Sequence, residues 1–282
     1  MPPRSPFPLW GGVGEGFAHT IPPARRGFGT ARVTSENIGV TMQRLVHAIS
    51  TPAANACFQA RTTVNGVAAI CDPLGGLYLT ESGTLVVSDL HLEKGSAFAR
   101  RGFMLPPYDT LATLRILEAV IARHDPRTVI SLGDNFHDRK GSAAMPDTFR
   151  QMIAAMARGR DWIWINGNHD PDGAWGLPGA SMDEFRHAGL VFRHEPSRID
   201  AEGEIAGHLH PSATVRRRER SVRRACFATD GKRLLMPAFG VTTGGLDLHH
   251  RAMSGLFDRG KLVAHMLGRD RIYSVRFDNL IG

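Results

Sequence analysis

Five short polar clusters carry the residue types from which a metal-dependent centre can be built: Asp89-Leu90-His91, Gly133-Asp134, Gly167-Asn168-His169-Asp170, His194, and Gly207-His208-Leu209-His210. Carboxylate oxygens, imidazole nitrogens and an Asn carbonyl together suit manganese, iron or zinc, whereas calcium and magnesium sites rarely recruit several histidines. Any one histidine taken alone is more readily a surface or core residue, so the ordered set carries the weight. The first three clusters each follow a strand-like run, and in open α/β sheets ligands bind beyond the carboxyl ends of strands. These three clusters should therefore converge. His194 follows the apolar Leu190-Val191-Phe192 and the last cluster follows Ile205-Ala206, which adds three imidazoles from the second half of the chain.

The elements that must position them are legible as alternating strand-like and helix-like segments. Val67–Cys71, Leu77–Leu79 and Thr84–Ser88, separated by Gly-containing turns, predict an antiparallel entry into a sheet. Pro106 and Pro107 precede an amphipathic helix with Leu111, Leu114, Leu117, Val120 and Ile121 on one face, which leads to a strand at Thr128–Leu132. A second helix, with Phe149, Met152, Ile153 and Met156 at helical spacing, ends at Gly159 before a strand at Trp162–Ile165. Two βαβ crossovers follow, with three strand ends at one edge of a parallel sheet. Beyond Gly189 the pattern turns β-like: Ala225–Ala228 and Arg233–Met236 flank the hairpin signal Asp230-Gly231, and further strands are predicted at Lys261–Met266 and Ile272–Phe277. The Met, Leu and aromatic residues on these stripes read as core.

A chain of 282 residues with 42% hydrophobic content can bury a sizeable core. Residues Met1 to about Thr41 are rich in Gly, Pro and Arg without either apolar period, which predicts a disordered tail. Met42 opens the folded composition, as an upstream start assigned in error would produce. Cys57, Cys71 and Cys226 are odd in number and widely spaced, so neither a disulfide framework nor a thiolate zinc site is indicated, and a reducing cytoplasm is expected. No apolar run approaches the roughly 18 residues of a membrane span, and the N-terminus lacks a signal-peptide pattern.

The formal charge of +7 is weak support for an anionic partner. Arg216, Arg217, Arg218, Arg220, Arg223 and Arg224 crowd a segment soon after His210, and either contact phosphates or form a solvated loop. Lys94, Arg100 and Arg101 follow Asp89-Leu90-His91 and share that alternative. Arg25 and Arg26 in the tail carry no specific expectation.

Taken in order, DxH at Asp89 and His91, GD at Asp134, GNHD at Asn168 to Asp170, the lone His194 and GHxH at His208 and His210 resemble the calcineurin-like metallophosphoesterase signature, over about Gly83 to His210. The segments DLHLEKGSAFARRG (Asp89–Gly102), LPPYDT (Leu105–Thr110), GHLHP (Gly207–Pro211) and MPAFGVTTGGLD (Met236–Asp247) resemble a narrower group, the bacterial ligase-associated DNA damage response endonucleases of the PdeM family. That match runs from about Met42 to the C-terminus.

The resemblance implies an α/β fold, a four-layer αββα sandwich of mixed sheets flanked by helices. It implies two divalent transition-metal ions, manganese first, with iron or zinc as alternatives. Asp89, His91, Asp134 and His210 would hold one, and Asp134, Asn168, His194 and His208 the other. A hydroxide bridging them would attack phosphorus in line. His169 would serve the leaving oxygen, with Asp170 either orienting its imidazole or capping the following turn. The segment Gly133–Asp138 also resembles the GDLFH segment of a related nuclease family, which makes His137 a second candidate for the leaving group or a supporting hydrogen bond. Arg223, Arg224, Lys94 and Arg101 are candidate substrate contacts. The implied partners are DNA, an ATP-dependent DNA ligase and a helicase. Because this metal chemistry is generic and pocket walls select substrate, two alternatives stand beside a DNA phosphodiesterase. One is a small-molecule phosphoesterase acting on a cyclic nucleotide or phosphomonoester; the other is a metal-dependent DNA-binding scaffold with little turnover.

Overall fold

Alternation decides which face of each central strand meets which neighbour. In the computed structural model, which describes residues 59–100, 102, 109–199, 201–218 and 220–282, the first sheet contains β1 (Ala60–Val64), β2 (Val67–Cys71), β3 (Leu77–Leu79), β4 (Thr84–Val87), β5 (Thr128–Leu132), β6 (Asp161–Ile165) and β7 (Ala180–Met182), in that spatial order. β1 to β4 pair antiparallel and β4 to β7 parallel. Leu85, Val87, Val129, Trp162 and Trp164 point to one face. Val86, Ile130 and Ile165 point to the other. The parallel pairs need crossovers, and helices supply the first two: α1 (Lys94–Arg100) and α2 (Asp109–His124) between β4 and β5, then α3 (Gly141–Ala144) and α4 (Asp147–Ala157) between β5 and β6.

α2 buries Leu114, Ile116, Leu117, Val120 and Ile121 against the first face, each stabilising by roughly 1.5–3 kcal/mol. Leu111, expected on that face, is 36% exposed. Thr110 and Thr113 take the buried positions of the first turns, where their hydroxyls accept from the Glu93 and Val241 amides and so tie the helix to two site loops. α4 ends just before Gly159, which adopts φ +73.

The second sheet contains β8 (Glu184–His187), β9 (Leu190–Arg193), β10 (Glu204–Ala206), β11 (Pro211–Arg217), β12 (Arg220–Thr229), β13 (Leu234–Leu235), β14 (Leu246–Asp247), β15 (Val263–Leu267) and β16 (Ile272–Arg276). β9, β10 and β13 run parallel, while β12 pairs antiparallel with β11, β13 and β15. Leu190, Phe192, Ile205, Phe227, Leu234 and Met236 meet the inner face of the first sheet in one apolar layer. Ala213, Cys226, Ala228, Ala264 and Met266 face outward, onto Leu248, Met253, Leu256, Leu262 and Leu280. The two facing mixed sheets of the expected αββα sandwich are therefore present, with α-helices on the outer face of the first. The fourth layer contains two 3-10 turns, Arg251–Met253 and Phe277–Asn279, and no α-helix among the described residues.

The expected disordered tail, its start at Met42, Arg25, Arg26, Cys57 and Arg101 all lie outside the described residues, as do most of Leu105–Thr110 and the side chain of Arg100. Cys71 and Cys226 are free and buried, and burial pushes both thiols well above their usual range. No helix among the described residues is long and apolar enough to cross a membrane.

Candidate metal centre

Every predicted donor cluster sits just beyond the carboxyl end of a strand: the first three after the parallel β4, β5 and β6, His194 after β9, and His208 and His210 after β10. Beyond the sheet the β4 and β5 loops continue to zip together. Asp89 N donates to Gly133 O, His91 N to Asp134 O and Leu92 N to Asn135 O, at 3.2, 2.9 and 2.8 Å. Leu90, Leu92 and Phe136 are buried in the apolar layer beneath, which anchors the zip. The polar partners Asp89, His91 and Asp134 are left on the opposite side, facing one another.

This geometry strains the backbone where the donors are. Of the ten described non-glycine residues with positive φ, five are Asp89 (52°), His91 (45°), Asp134 (46°), His208 (66°) and His210 (46°). Each costs about 1–2 kcal/mol in the left-handed region, so the surrounding contacts must hold it there. Two glycines explain how the loops come so close. A Cβ on Gly167 would lie 2.1 Å from Asp134 N, and one on Gly207 would lie 2.0 Å from Ser88 Oγ and 2.6 Å from Asp89 Oδ2. Only a residue without a side chain fits either place.

The donors assemble into two groups. Asp89, His91 and His210 form one and Asp134, His194 and His208 the other, each with ligand atoms within 4.8 Å of one another. Asp134 faces both, with Oδ1 3.4 Å from His194 Nε2 and Oδ2 4.0 Å from His91 Nε2. Asn168 joins the second group, its Oδ1 2.9 Å from His194 Nε2. All seven expected donors are thus brought together.

Backbone carbonyls decide which nitrogen of two rings is free. His194 Nδ1 donates to Leu132 O at 2.8 Å and His210 Nδ1 to Gly244 O at 3.1 Å, because a carbonyl can only accept. With Nδ1 engaged in this way, each ring turns Nε2 inward, toward the other donors. His194 Nε2 meets Asn168 Oδ1, the Asp134 carboxylate and, at 3.2 Å, His208 Nδ1. His210 Nε2 lies 3.1 Å from Asp89 Oδ1 but outside hydrogen-bond alignment, and His91 Nδ1 is buried without a hydrogen-bond partner. Acceptors crowded against acceptors are satisfied by positive charge placed between them. A pair of divalent cations fits this donor set.

The protonation tendencies of the donors divide. Burial alone would raise the Asp89 carboxyl, but His210, with His194 and His91, overrides it and holds it well below the usual range. Burial pushes His91 well down, against the pull of Asp89, and pushes His208 down with help from His194. Neutral imidazole is the form that ligates a metal. His210 is raised despite its burial, because the Asp89 carboxylate draws positive charge onto it.

The remaining expectations divide. His169, His137 and His91 form a third cluster, with ligand atoms within 4.8 Å of one another, at the open side of the centre. His169 Nδ1 is held by His137 O at 2.8 Å, and its Nε2 lies 3.9 Å from Asp134 Oδ2. No side-chain contact joins Asp170 to this ring among the described residues, and the following turn is closed by its backbone carbonyl, which accepts from Gly173 N at 3.0 Å. Its side-chain oxygens accept from the backbone amides of Gly167, Asn135 and Phe136, which clamps the β5 and β6 loops together. Lys94 is half-buried and donates to Thr242 O at 2.9 Å; burial lowers its ammonium, against Asp109.

The arginine-rich segment is a β-hairpin, not a loop: Arg216 and Arg217 lie on β11, Arg220, Arg223 and Arg224 on β12, and Arg218 at the turn. Arg223 and Arg224 alternate onto opposite faces. Arg223 binds Ser212 Oγ and Gly245 O, beside the Gly244 carbonyl that holds His210, and so braces the centre. Sequence reasoning missed these supporting carbonyls of Leu132, Gly244 and Gly245, for which the two glycines of Thr242-Thr243-Gly244-Gly245 were the one available signal.

Residues 84–224 match the calcineurin-like phosphoesterase family. A crystal structure of the Pseudomonas putida nuclease MPE is similar, with a TM-score of 0.59 and 26% sequence identity over 77% of this chain and all of that one. No curated protein matches.

Proposed function

The chain belongs to the calcineurin-like phosphoesterase family, and from that premise we propose that it is a dinuclear phosphodiesterase that cuts DNA, with manganese as its first-choice metal. The observation that carries this reading is the pair of donor groups on either side of Asp134, with imidazole nitrogens and carboxylate oxygens turned toward one another. Asp89, His91, His210 and Asp134 would hold one cation; Asp134, Asn168, His194 and His208 would hold the other. When bound, the two cations supply a water acidic enough to attack phosphorus at neutral pH and neutralise the phosphoryl oxygens as charge builds.

The chain's own residues do the rest. The buried carboxylates and the loop zip fix the donors before substrate arrives, so little reorganisation is needed at the moment of reaction. His169 keeps Nδ1–H on the His137 carbonyl, which leaves Nε2 at the half-open side of the centre to carry a proton to the departing oxygen. His137 supports it through that carbonyl and lines the same opening. Similarity to a protein described as a nuclease and the exposed arginines of the β11–β12 hairpin favour a polyanionic substrate. The repair role and the ligase and helicase partnership implied by the PdeM resemblance belong to the same proposal.

Elemental analysis of the purified protein, with side-by-side assays on DNA, a generic phosphodiester and a generic phosphomonoester, tests this reading. Two equivalents of transition metal and manganese-supported cleavage of DNA are expected. Asp134→Asn should lose metal and activity together, by more than the roughly 10–100-fold that losing a supporting hydrogen bond costs in metal affinity. Preference for the phosphomonoester, or full activity in Asp134→Asn, would overturn it.

A further inference from the structure

Next to Asn168 and His169 the centre opens into a cavity of about 490 Å³, walled by Ala97 of α1, by His137, Asp138, Arg139 and Lys140, and by Asn168 and His169 themselves. It is an open cleft whose size is within the range of ligand-binding sites. Two features make it more than a continuation of the centre. It lies on the side of His169, where a leaving group would depart, and its outer wall carries two neighbouring cations. Among the described residues Arg139 has only an exposed ion pair with Asp172 at 3.5 Å, of the kind worth little in water, so its guanidinium can exchange that partner at small cost. Lys140 has no ion pair among the described residues. The one carboxylate on the wall, Asp138, turns an oxygen back onto the Lys140 amide at 3.0 Å.

Resting on the phosphodiesterase reading, we propose that this cavity is a subsite for the nucleotide on the leaving side of the scissile bond. Arg139 and Lys140 would hold the next phosphate along the chain. The wall is also built to keep its shape. Arg150 of α4 donates to the carbonyls of Ser142, Met145 and Gly176, and so ties the segment after Lys140 to the loop that follows Asp170. A small phosphodiester has no second phosphate and cannot reach these cations; a polynucleotide always does. Arg139 and Lys140 thus select polymer over small ester without touching the reacting atoms.

The test compares the wild type with Arg139→Ala/Lys140→Ala on two substrates with manganese present: an oligonucleotide, and bis(4-nitrophenyl) phosphate. Removing one or two charge-assisted hydrogen bonds should lower kcat/KM on the oligonucleotide about tenfold or more, mainly through KM. It should also flatten the salt dependence of that KM by about 0.7 for each phosphate that is no longer held. Turnover of the small ester should be unchanged, which also shows that the variant is folded and loaded with metal. Arg139→Glu/Lys140→Glu should deepen the oligonucleotide defect alone. Equal losses on both substrates, or none on the oligonucleotide, overturn the subsite. A wild type that cleaves the small ester and leaves the oligonucleotide intact overturns the DNA phosphodiesterase reading and the subsite with it, whereas an active wild type with indifferent variants overturns the subsite alone.

Discussion

His169 Nδ1 sits 2.8 Å from the carbonyl oxygen of His137, so the ring is aimed by backbone and not by the carboxylate that follows it in sequence. The half-exposed ring then presents Nε2, the atom proposed to carry the proton, at the open side, 3.9 Å from Asp134 Oδ2. His169→Ala should retain both metals and the wild-type melting temperature while hydrolysis of an unactivated diester falls by about 10²–10⁴-fold. An ester with a strongly acidic leaving group should lose far less, because its departing oxygen needs no proton. Metal content by elemental analysis and rates on the two esters check this; equal losses on both would remove His169 from the leaving-group side.

Asp170 should behave differently. Burial, with the nearby Asp134 adding to it, pushes its carboxyl up to about 6, against the Asn135 and Phe136 hydrogen bonds. It nonetheless collects the amides of Gly167, Asn135 and Phe136. Asp170→Ala would leave three buried N–H groups without an acceptor, at about 1–3 kcal/mol each before relaxation. The expected result is a clear loss of stability in urea together with weakened metal retention, whereas Asp170→Asn, which keeps one accepting oxygen, should be intermediate. A variant as stable as wild type with only a slowed reaction would return Asp170 to a role beside His169.

Much of this centre is readable in the sequence because its signals are local. Donors in DxH, GD, GNHD and GHxH sit directly after mostly apolar runs, and Thr128–Leu132 can be placed because a buried parallel strand is largely apolar and β-branched, with only Thr128 and Ser131 polar. What escapes is non-local or backbone-borne. Carbonyls such as Leu132 O, Gly244 O and His137 O are present in every residue and mark no sequence, yet they fix three rings. The β11–β12 hairpin is obscured because its far half exposes both faces, so arginines replace the apolar alternation that Ala213 and Val215 begin. Short strands such as Ala180–Met182, with two exposed residues, carry too little pattern to be seen.

Asp72, away from the metal centre, should dominate the acid limb of stability. It is fully buried, receives Arg123 Nη1 on both oxygens at 2.8 Å, His124 Nε2 at 2.9 Å and the Leu74 amide at 2.8 Å. Burial would raise this carboxyl, but His124 and Arg123 prevail and lower it. A carboxyl depressed in the folded state contributes stability above its unfolded value near about 3.9, and that stability is lost as pH falls through the folded value. Asp72→Asn should therefore cost about 3–5 kcal/mol at pH 7, and the gap to wild type should narrow only below about pH 4. Urea midpoints at the two pH values decide it; a gap that closes between about pH 6 and 7, where an ordinary imidazole titrates, would assign the effect to His124.

The close approach of Gly207 to Ser88 allows a paired test of the loop geometry itself. An added methyl at Gly207 would overlap Ser88 Oγ at 2.0 Å and crowd Asp89 Oδ2 at 2.6 Å, where an ordinary carbon contact is no closer than about 3.5 Å. Gly207→Ala should cost about 1–3 kcal/mol of stability and shift Asp89 enough to weaken metal binding. Shortening the obstacle should help: in Gly207→Ala/Ser88→Gly the nearest clash is gone, and part of the stability should return. The Asp89 overlap remains, so metal affinity should recover less than stability does. Additive losses in the double variant, read by thermal unfolding with and without manganese, would mean that the two residues do not touch and that Gly207 is required for some other reason.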